Sequence, residues 1–379
     1  MEKRIVHIAL TGGPVGGKSS GAPMIREHLM THDWRTVIVP ETVTMFINAG
    51  IMPWDSPVFQ PQVLRTQLDH EAAFLRLAQT LIGNDKILML YDRGICDNIA
   101  YTGEEDFEKN ARSLGTSTIA LRNHYDAVIH LTSPAVDAIE VFLKHRGNNS
   151  ARWEGKDDDA KAVRDTAQLD AKTAAAWVGH DHLITIDNST DFEGKMRRVV
   201  NAVANIIGEP EIYEIERKFL IEMPDLTALL RLPGCHREEI TQTYLLSSPG
   251  DEERVRKRGR GYDFVYTRTL KRDVPDSTRK RIQHEKSISA PEYLEALASA
   301  NPKLMTIKKD RYCFLHNNQH FEVDIYPFWD THAILELELH DERQTIDFPP
   351  QLQVVFEVTD DPRFKTRALA QSIPNLIPC

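Results

Sequence analysis

Long apolar runs are missing from this chain. No stretch reaches the ~18 residues that a membrane-spanning helix needs, so none is expected among the 379 residues. Cysteine is scarce. Cys96, Cys235, Cys313 and Cys379 lie far apart with no C-x-x-C pair, a spacing that suggests neither a disulfide framework nor a zinc site. Buried or free thiols in a reducing compartment are the expected state. The start of the chain lacks a secretory signal: the charged Met1–Arg4 leads into an apolar run and then into a glycine-rich loop, so a cytoplasmic location is expected. Internal repeats and low-complexity segments are absent. Positive charge is in deficit, with 46 Lys and Arg against 56 Asp and Glu, for a net charge of −10. That balance speaks against wholesale nucleic-acid binding, while leaving room for local basic patches. The length exceeds one ordinary core, so two domains are expected.

Glycine is concentrated at one informative place. Gly12-Gly13-Pro14-Val15-Gly16-Gly17-Lys18-Ser19 fits G-x-x-x-x-G-K-[ST], the phosphate-binding loop. The glycines let several backbone N–H groups point at one anion. Lys18 is placed to reach the β- and γ-phosphates, and the Ser19 hydroxyl to ligate Mg²⁺; Ser20 beside it is counted among the nucleotide contacts. An apolar run, Arg4–Thr11, precedes the loop and a helical pattern over Ser20–Thr31 follows it, which is the order the motif requires.

Further strand-like runs at Thr36–Val39, Ile87–Tyr91, Ala127–Leu131 and Leu183–Ile186 alternate with helical segments. This alternation implies a parallel sheet with helices on both faces, whose ligands sit beyond the carboxyl ends of the strands. Polar residues just past those ends are therefore the site candidates: Glu41, Asp92 and Arg93 with Asp97, and Asp187. Three carboxylates converging on the loop would hold Mg²⁺ and take a proton from an attacking hydroxyl, and Arg93 would steady a transferring phosphoryl group. Asp92 ends an apolar third strand, where a Walker B carboxylate falls. Gln67 and Glu71, one helical turn apart, are expected on a solvated helix face. The polar segment Lys144–Arg152, with Arg164 further on, has the texture of a basic lid; Arg146, Arg152 and Arg164 are candidate charge clamps. The loop, Tyr91-Asp92-Arg93-Gly94 with Asp97, and Ile186–Lys195 resemble the NadR-like AAA-type ATPase/kinase domain over most of residues 1–205. The resemblance implies a nucleoside-monophosphate-kinase-type fold that binds ATP or GTP, with Glu41 and Asp92-Arg93 at positions that act on the acceptor.

After Gly208-Glu209-Pro210 the texture changes to short alternating segments, as in an antiparallel sheet. Glu214, Glu216 and Lys218 share one strand face. So do Arg254, Arg256 and Arg258; Arg281, Gln283 and Glu285; Lys309 and Arg311; Glu322 and Asp324; and Glu336 and Glu338. Lys271 ends another such run. Between residues 254 and 281 stand eleven Lys or Arg against three acids, Asp263, Asp273 and Asp276. A basic block in an acidic chain wants a polyanion. Closed into a barrel, these strands put bases and acids inside, where the bases grip a triphosphate and the acids hold Mg²⁺ or Mn²⁺ through oxygen. The Glu214-x-Glu216-x-Lys218 signature, with the strands just named and Phe356–Phe364, resembles the CYTH domain of the triphosphate tunnel metalloenzymes from about Tyr213 to Ala370. That resemblance implies a tunnel of antiparallel strands. It also implies metal at Glu214, Glu216, Glu285, Asp324, Glu336 and Glu338, and phosphate contacts at Lys218, Arg254, Arg256, Arg258, Lys271, Arg281, Lys309 and Arg311. Gln283 stands where many members carry another acid.

The pairing of the two halves resembles the TRPL translocation defect protein family, which implies a GTP-binding module joined to a tunnel that recognises phosphoinositide headgroups. The expected fold class is an α/β P-loop NTPase domain followed by an α+β antiparallel β-tunnel domain, over residues 1–208 and 213–379 with a linker at 209–212. The expected function is phosphate handling: Mg-NTP binding with hydrolysis or phosphoryl transfer in the first domain, and metal-dependent triphosphate or polyphosphate binding or hydrolysis in the second. Two alternatives stand beside it. One is a nucleotide-binding sensor of anionic lipid headgroups without turnover, and the other a small-molecule kinase with a regulatory second domain.

Overall fold

The computed structural model describes residues 3–30, 34–83, 85–146, 159–208, 215–248, 251–273, 281–339 and 345–374; the side chains of residues 30, 146, 215, 272–273, 281–284 and 338 are not described. The chain divides into two compact units, Met1–Ile212 and Tyr213–Cys379.

The first unit is built on five parallel strands: β1 (Arg4–Thr11), β2 (Trp34–Val39), β3 (Lys86–Asp92), β4 (Ala127–Leu131) and β5 (Leu183–Ile186). Their order in the sheet is β2-β3-β1-β4-β5. β1 lies in the middle, pairing Ile8 with Leu90 on one side and Leu10 with Ile129 on the other. The central strands are apolar runs because both faces are covered; Ile87, Leu88, Met89 and Leu90 are all fully buried. Helix α1 (Lys18–Met30) and the helix Phe192–Ile207 cover one face, where Ile25 and Leu29 meet Met196, Val199, Val203 and Ile207. The latter helix starts where the Asp191 carboxylate accepts the Gly194 N–H at 2.8 Å and ends at Gly208, whose φ of 80° suits glycine. A central β1 brings its C-terminal loop to the middle of the sheet's carboxyl edge, the ligand-binding edge of such folds.

The second unit is a nine-stranded antiparallel sheet. Its strands are β6 (Ile215–Glu222), β7 (His236–Tyr244), β8 (Asp251–Arg260), β9 (Asp263–Asp273), β10 (Arg281–Ile288), β11 (Ile307–His316), β12 (Gln319–Ile325), β13 (His332–Leu339) and β14 (Val354–Glu357). Their order is β10-β9-β8-β7-β11-β12-β13-β6-β14. Period-two alternation sends the two side-chain sets to opposite faces. Phe219, Ile221, Tyr312, Phe314, Phe321, Val323, Leu335 and Leu337 form an apolar core on one face. Their alternates, Lys309, Arg311, Asp324 and Glu336, lie on the other and are also buried. A charged face withdrawn from solvent is the lumen of a tunnel, and the outer surface of an ordinary sheet would not hide it. The fold class is therefore the expected one, a P-loop α/β domain followed by an antiparallel tunnel domain of the CYTH class.

Candidate functional site

The phosphate loop is shaped by its neighbours. A Cβ at Gly12, whose φ is +128°, would stand 2.1 Å from the Leu131 carbonyl oxygen, so no other residue fits there. The Lys18 Nζ donates to the carbonyls of Gly12 at 2.7 Å and Gly13 at 2.8 Å. Burial, with the Arg93 cation nearby, brings the Lys18 ammonium down to about 7. The Ser19 hydroxyl, at the exposed start of α1, donates to Asp92 Oδ2 at 3.2 Å. These are hard oxygen donors side by side, the set that Mg²⁺ takes. Burial raises the Asp92 carboxyl above its usual range. Ser20 is exposed on the next position of α1, and Gly16 and Gly17 complete the curve of the loop.

Arg93 sits in the left-handed region, φ 76°. Its N–H donates to Leu10 O at 3.0 Å and its carbonyl accepts from Gln67 Nε2 at 3.2 Å, which fix this unusual backbone. Its guanidinium reaches Glu41 at 2.5 Å, Asp97 at 3.3 Å and the Gly12 carbonyl at 3.3 Å. Asp97 has a structural position as well: it accepts from Thr11 Oγ1 at 2.5 Å and from the Trp177 indole at 2.7 Å.

Two expectations need correction. Gln67 and Glu71 are buried, not solvated. Gln67 supports Arg93, and Glu71 accepts from the Tyr125 hydroxyl at 2.9 Å, an interior partnership that helical spacing cannot reveal. Asp187 makes no bond to the loop among the described residues; it is held by Ser189 and by Arg198 at 2.7 Å. Arg164 is exposed on the helix Asp159–Ala175; Arg146 ends another helix without a described side chain, and Arg152 lies outside the described residues.

Asp170 was missed by sequence reasoning. Its Oδ1 accepts the Gly13 N–H at 2.6 Å and the Ser133 N–H at 3.0 Å, and Oδ2 meets His130 at 3.3 Å. The Gly13 amide is thus spent on bracing the loop and not on the phosphate cradle. Burial pushes the Asp170 carboxyl up, but His130 and the two amides outweigh it and hold the group below its usual range. No motif marks this acid, because it reaches the loop from a helix ~150 residues away in sequence, and only the fold makes that contact.

Beside the loop opens a cavity of about 320 Å³. Glu41, Arg93 and Asp97 line its polar end, and Val43, Ile47, Met52, Trp54, Val63 and Leu169 its apolar wall.

In the second unit the charged residues form a continuous row. Lys218 donates to Glu336 Oε1 at 2.6 Å and lies 3.2 Å from Glu216. Arg311 spans Asp324 with two bonds of 2.7 Å, reaches Glu336 at 2.5 Å and also pairs with Glu322. Lys309 also donates to Asp324 Oδ2, the oxygen it shares with Arg311. Further along, Arg258 stands 3.3 Å from the fully buried Glu238, an acid not singled out from the sequence, and Arg256 reaches Gln242 at 3.4 Å. Thr269 donates to Glu285 at 2.7 Å. Arg254, Arg256 and Lys271 are half-buried. Burial alone would raise the Glu336 carboxyl, yet Lys218, Lys309 and Arg311 drive it well below its usual range. Burial also lowers Lys218, and Glu216 and Glu336 more than reverse this. Glu214 lies outside the described residues, and Arg281 and Glu338 sit in β10 and β13 without described side chains.

The folds and their sites define a two-domain protein, a P-loop domain followed by a CYTH-class domain. Residues 7–195 match the family model described as an AAA domain. Among solved structures, the hypothetical protein NE1496 is similar at 30% identity over 43% of this chain and 100% of its own, with a TM-score of 0.30. A second structure of it, as the inorganic triphosphatase NE1496, aligns at 29% identity over 43% of this chain and 98% of its own, TM-score 0.29. HpAC1 from Hippeastrum, described as having a dominant triphosphatase activity, aligns at 15% identity over 34% of this chain and 80% of its own, TM-score 0.25. No curated protein sequence matches the chain.

Proposed function

We propose that the first unit binds a Mg²⁺-nucleoside triphosphate at Gly12–Ser19 and transfers its γ-phosphoryl group to a hydroxyl in the adjoining cavity. The observation that carries this reading is the cavity itself: an open cleft lined by Glu41 and Arg93, with Arg93 bonded to the loop that would hold the phosphates. Ser19 and Asp92 would hold Mg²⁺, which supplies charge neutralisation on the phosphates when bound. Glu41 accepts the proton of the attacking hydroxyl, and the acceptor oxygen bonds phosphorus as the bridging oxygen of the leaving diphosphate departs. Arg93 steadies the charge on the moving group. Water can take the acceptor's place, giving hydrolysis. ATP and GTP are both candidates.

The second unit, on this reading, binds a triphosphate or polyphosphate in its charged row and hydrolyses it with Mg²⁺ or Mn²⁺, the activity that the name of NE1496 states for that protein. Lys218, Arg254, Arg256, Arg258, Lys309 and Arg311 grip phosphate oxygens. Glu216 and Glu336, both oxygen donors beside Lys218, suit a hard cation. The ion pairs of the row support an exchange on binding: each base trades a carboxylate for a phosphate oxygen, and the released carboxylates become available to metal.

The test uses the full chain with nucleoside triphosphates, a panel of hydroxyl acceptors and tripolyphosphate. Acceptor-dependent nucleoside diphosphate formation, lost in Lys18→Met and in the cavity-filling Val43→Trp, supports the first half. Phosphate release from tripolyphosphate, lost in Glu216→Ala and kept in Lys18→Met, supports the second. Binding to phosphoinositide vesicles without turnover, abolished by Arg254→Ala, would replace the second half with the headgroup sensor that the TRPL resemblance implies.

A further inference from the structure

The interior face of the second unit carries a further donor cluster, which shares one acid, Glu322, with the charged row through Arg311. Cys313 on β11 pairs directly across with Glu322 on β12 and with His236 on β7. His320, two residues before Glu322 on the same strand, shares that face. One ligand atom from each of Cys313, His320 and Glu322 lies within 4.8 Å of the other two. The β11–β12 register runs unbroken from Asp310↔Ile325 to His316↔Gln319, so the sheet itself sets these positions.

The donor set is a sulfur, an imidazole nitrogen and a carboxylate oxygen. Mg²⁺ and Mn²⁺ favour oxygen donors, whereas Zn²⁺ takes all three atom types. Glu322 can serve this cluster and its arginine together: Arg311 engages Oε2, whereas Oε1 stands 3.9 Å from His320 Nδ1. That gap is too long for a hydrogen bond and about half an ångström wider than the ~3.3–3.4 Å between two tetrahedral ligands each ~2.0–2.1 Å from one ion, so a small inward movement of the two side chains closes it on a metal. Cys313 is buried, and His320 and Glu322 are partly open on the tunnel side.

We propose that Cys313, His320 and Glu322 form a transition-metal site, with Zn²⁺ as its class of ion, distinct from the carboxylate positions beside Lys218. Three protein ligands leave a fourth tetrahedral position open for water. Metal entry displaces the thiol proton, which is released to solvent. The cysteine spacing gave no hint of this, because Cys-x₆-His-x-Glu belongs to no finger-like pattern and only the hairpin register gathers it.

The test titrates Co²⁺, a spectroscopic stand-in for Zn²⁺, into the metal-stripped full-length protein. The expected result is a near-ultraviolet sulfur-to-cobalt charge-transfer band that saturates at one ion, is bleached by Zn²⁺, and is lost in Cys313→Ser. In His320→Ala, a less buried change, the band is weakened or lost while circular dichroism stays native. The band persists in Cys235→Ser and Glu216→Ala. Absence of the band in folded wild-type protein, or its survival in Cys313→Ser, overturns the proposal. Cobalt held by carboxylates alone gives no such band and counts against it.

Discussion

Removing Arg311 is the sharpest perturbation of the charged row. In the structure, three cations (Lys218, Lys309, Arg311) face four carboxylates (Glu216, Glu322, Asp324, Glu336). Arg311→Met keeps much of the side-chain volume and takes away the cation that touches three of those acids. Asp324 is fully buried and retains Lys309, whereas Glu322 loses its short arginine contact. Breaking a buried pair by deleting one partner costs about 3–5 kcal/mol, because the remaining charge stays desolvated. For a unit of this size that corresponds to a fall of about 6–20 °C in its melting transition. Scanning calorimetry of the full chain at pH 7 reads it. The pH dependence supplies a second readout. Glu336 has a folded pKa well below its ordinary value, so its stabilising contribution is present above the unfolded pKa and lost as pH falls through the folded one. The variant lacks part of that contribution, and its deficit against wild type therefore narrows on acidification. Adding Glu322→Gln neutralises the carboxylate that has lost its arginine and recovers part of the loss. A deficit under about 1 kcal/mol, the range of exposed ion pairs, and unchanged by pH, would refute the picture of a desolvated row.

Other consequences are open to measurement. Lys18→Met should abolish nucleotide-dependent turnover by at least ~100-fold, read as nucleoside diphosphate release, with the tunnel activity unchanged. Because burial and Arg93 bring Lys18 to about 7, the negative charge of a triphosphate would raise it, so nucleotide binding should take up about one proton at pH 8 and close to none at pH 5; calorimetry in buffers of different ionisation enthalpy checks the sign. Asp170→Ala leaves the buried Gly13 and Ser133 amides without their acceptor and should cost about 1–3 kcal/mol of stability, with weaker nucleotide binding measured by titration. Glu71→Leu takes away the acceptor of the buried Tyr125 hydroxyl, which keeps only the Ile95 N–H, and should destabilise the first unit by a similar ~1–3 kcal/mol, where a solvated helix face would have shown almost nothing.

Much of this protein is written locally. The strand, glycine loop and helix around Lys18 are contiguous, and a loop that needs positive φ at Gly12 and a lysine next to a serine leaves a mark in consecutive letters. The five parallel strands are equally legible, since burial on both faces demands unbroken apolar runs such as Ile87–Leu90. The tunnel strands show through their period of two, with Phe and Leu alternating with Arg and Glu. Other features exist only once distant segments meet. Asp170 braces Gly13 across 157 positions, Gln67 props the Arg93 backbone, and the hairpin register sets Cys313 beside Glu322. Patterning constrains which face a side chain takes, because that follows from local backbone geometry. It is silent about which partner waits on that face, because desolvation, ion pairing and pKa are properties of neighbours that the chain acquires only by folding.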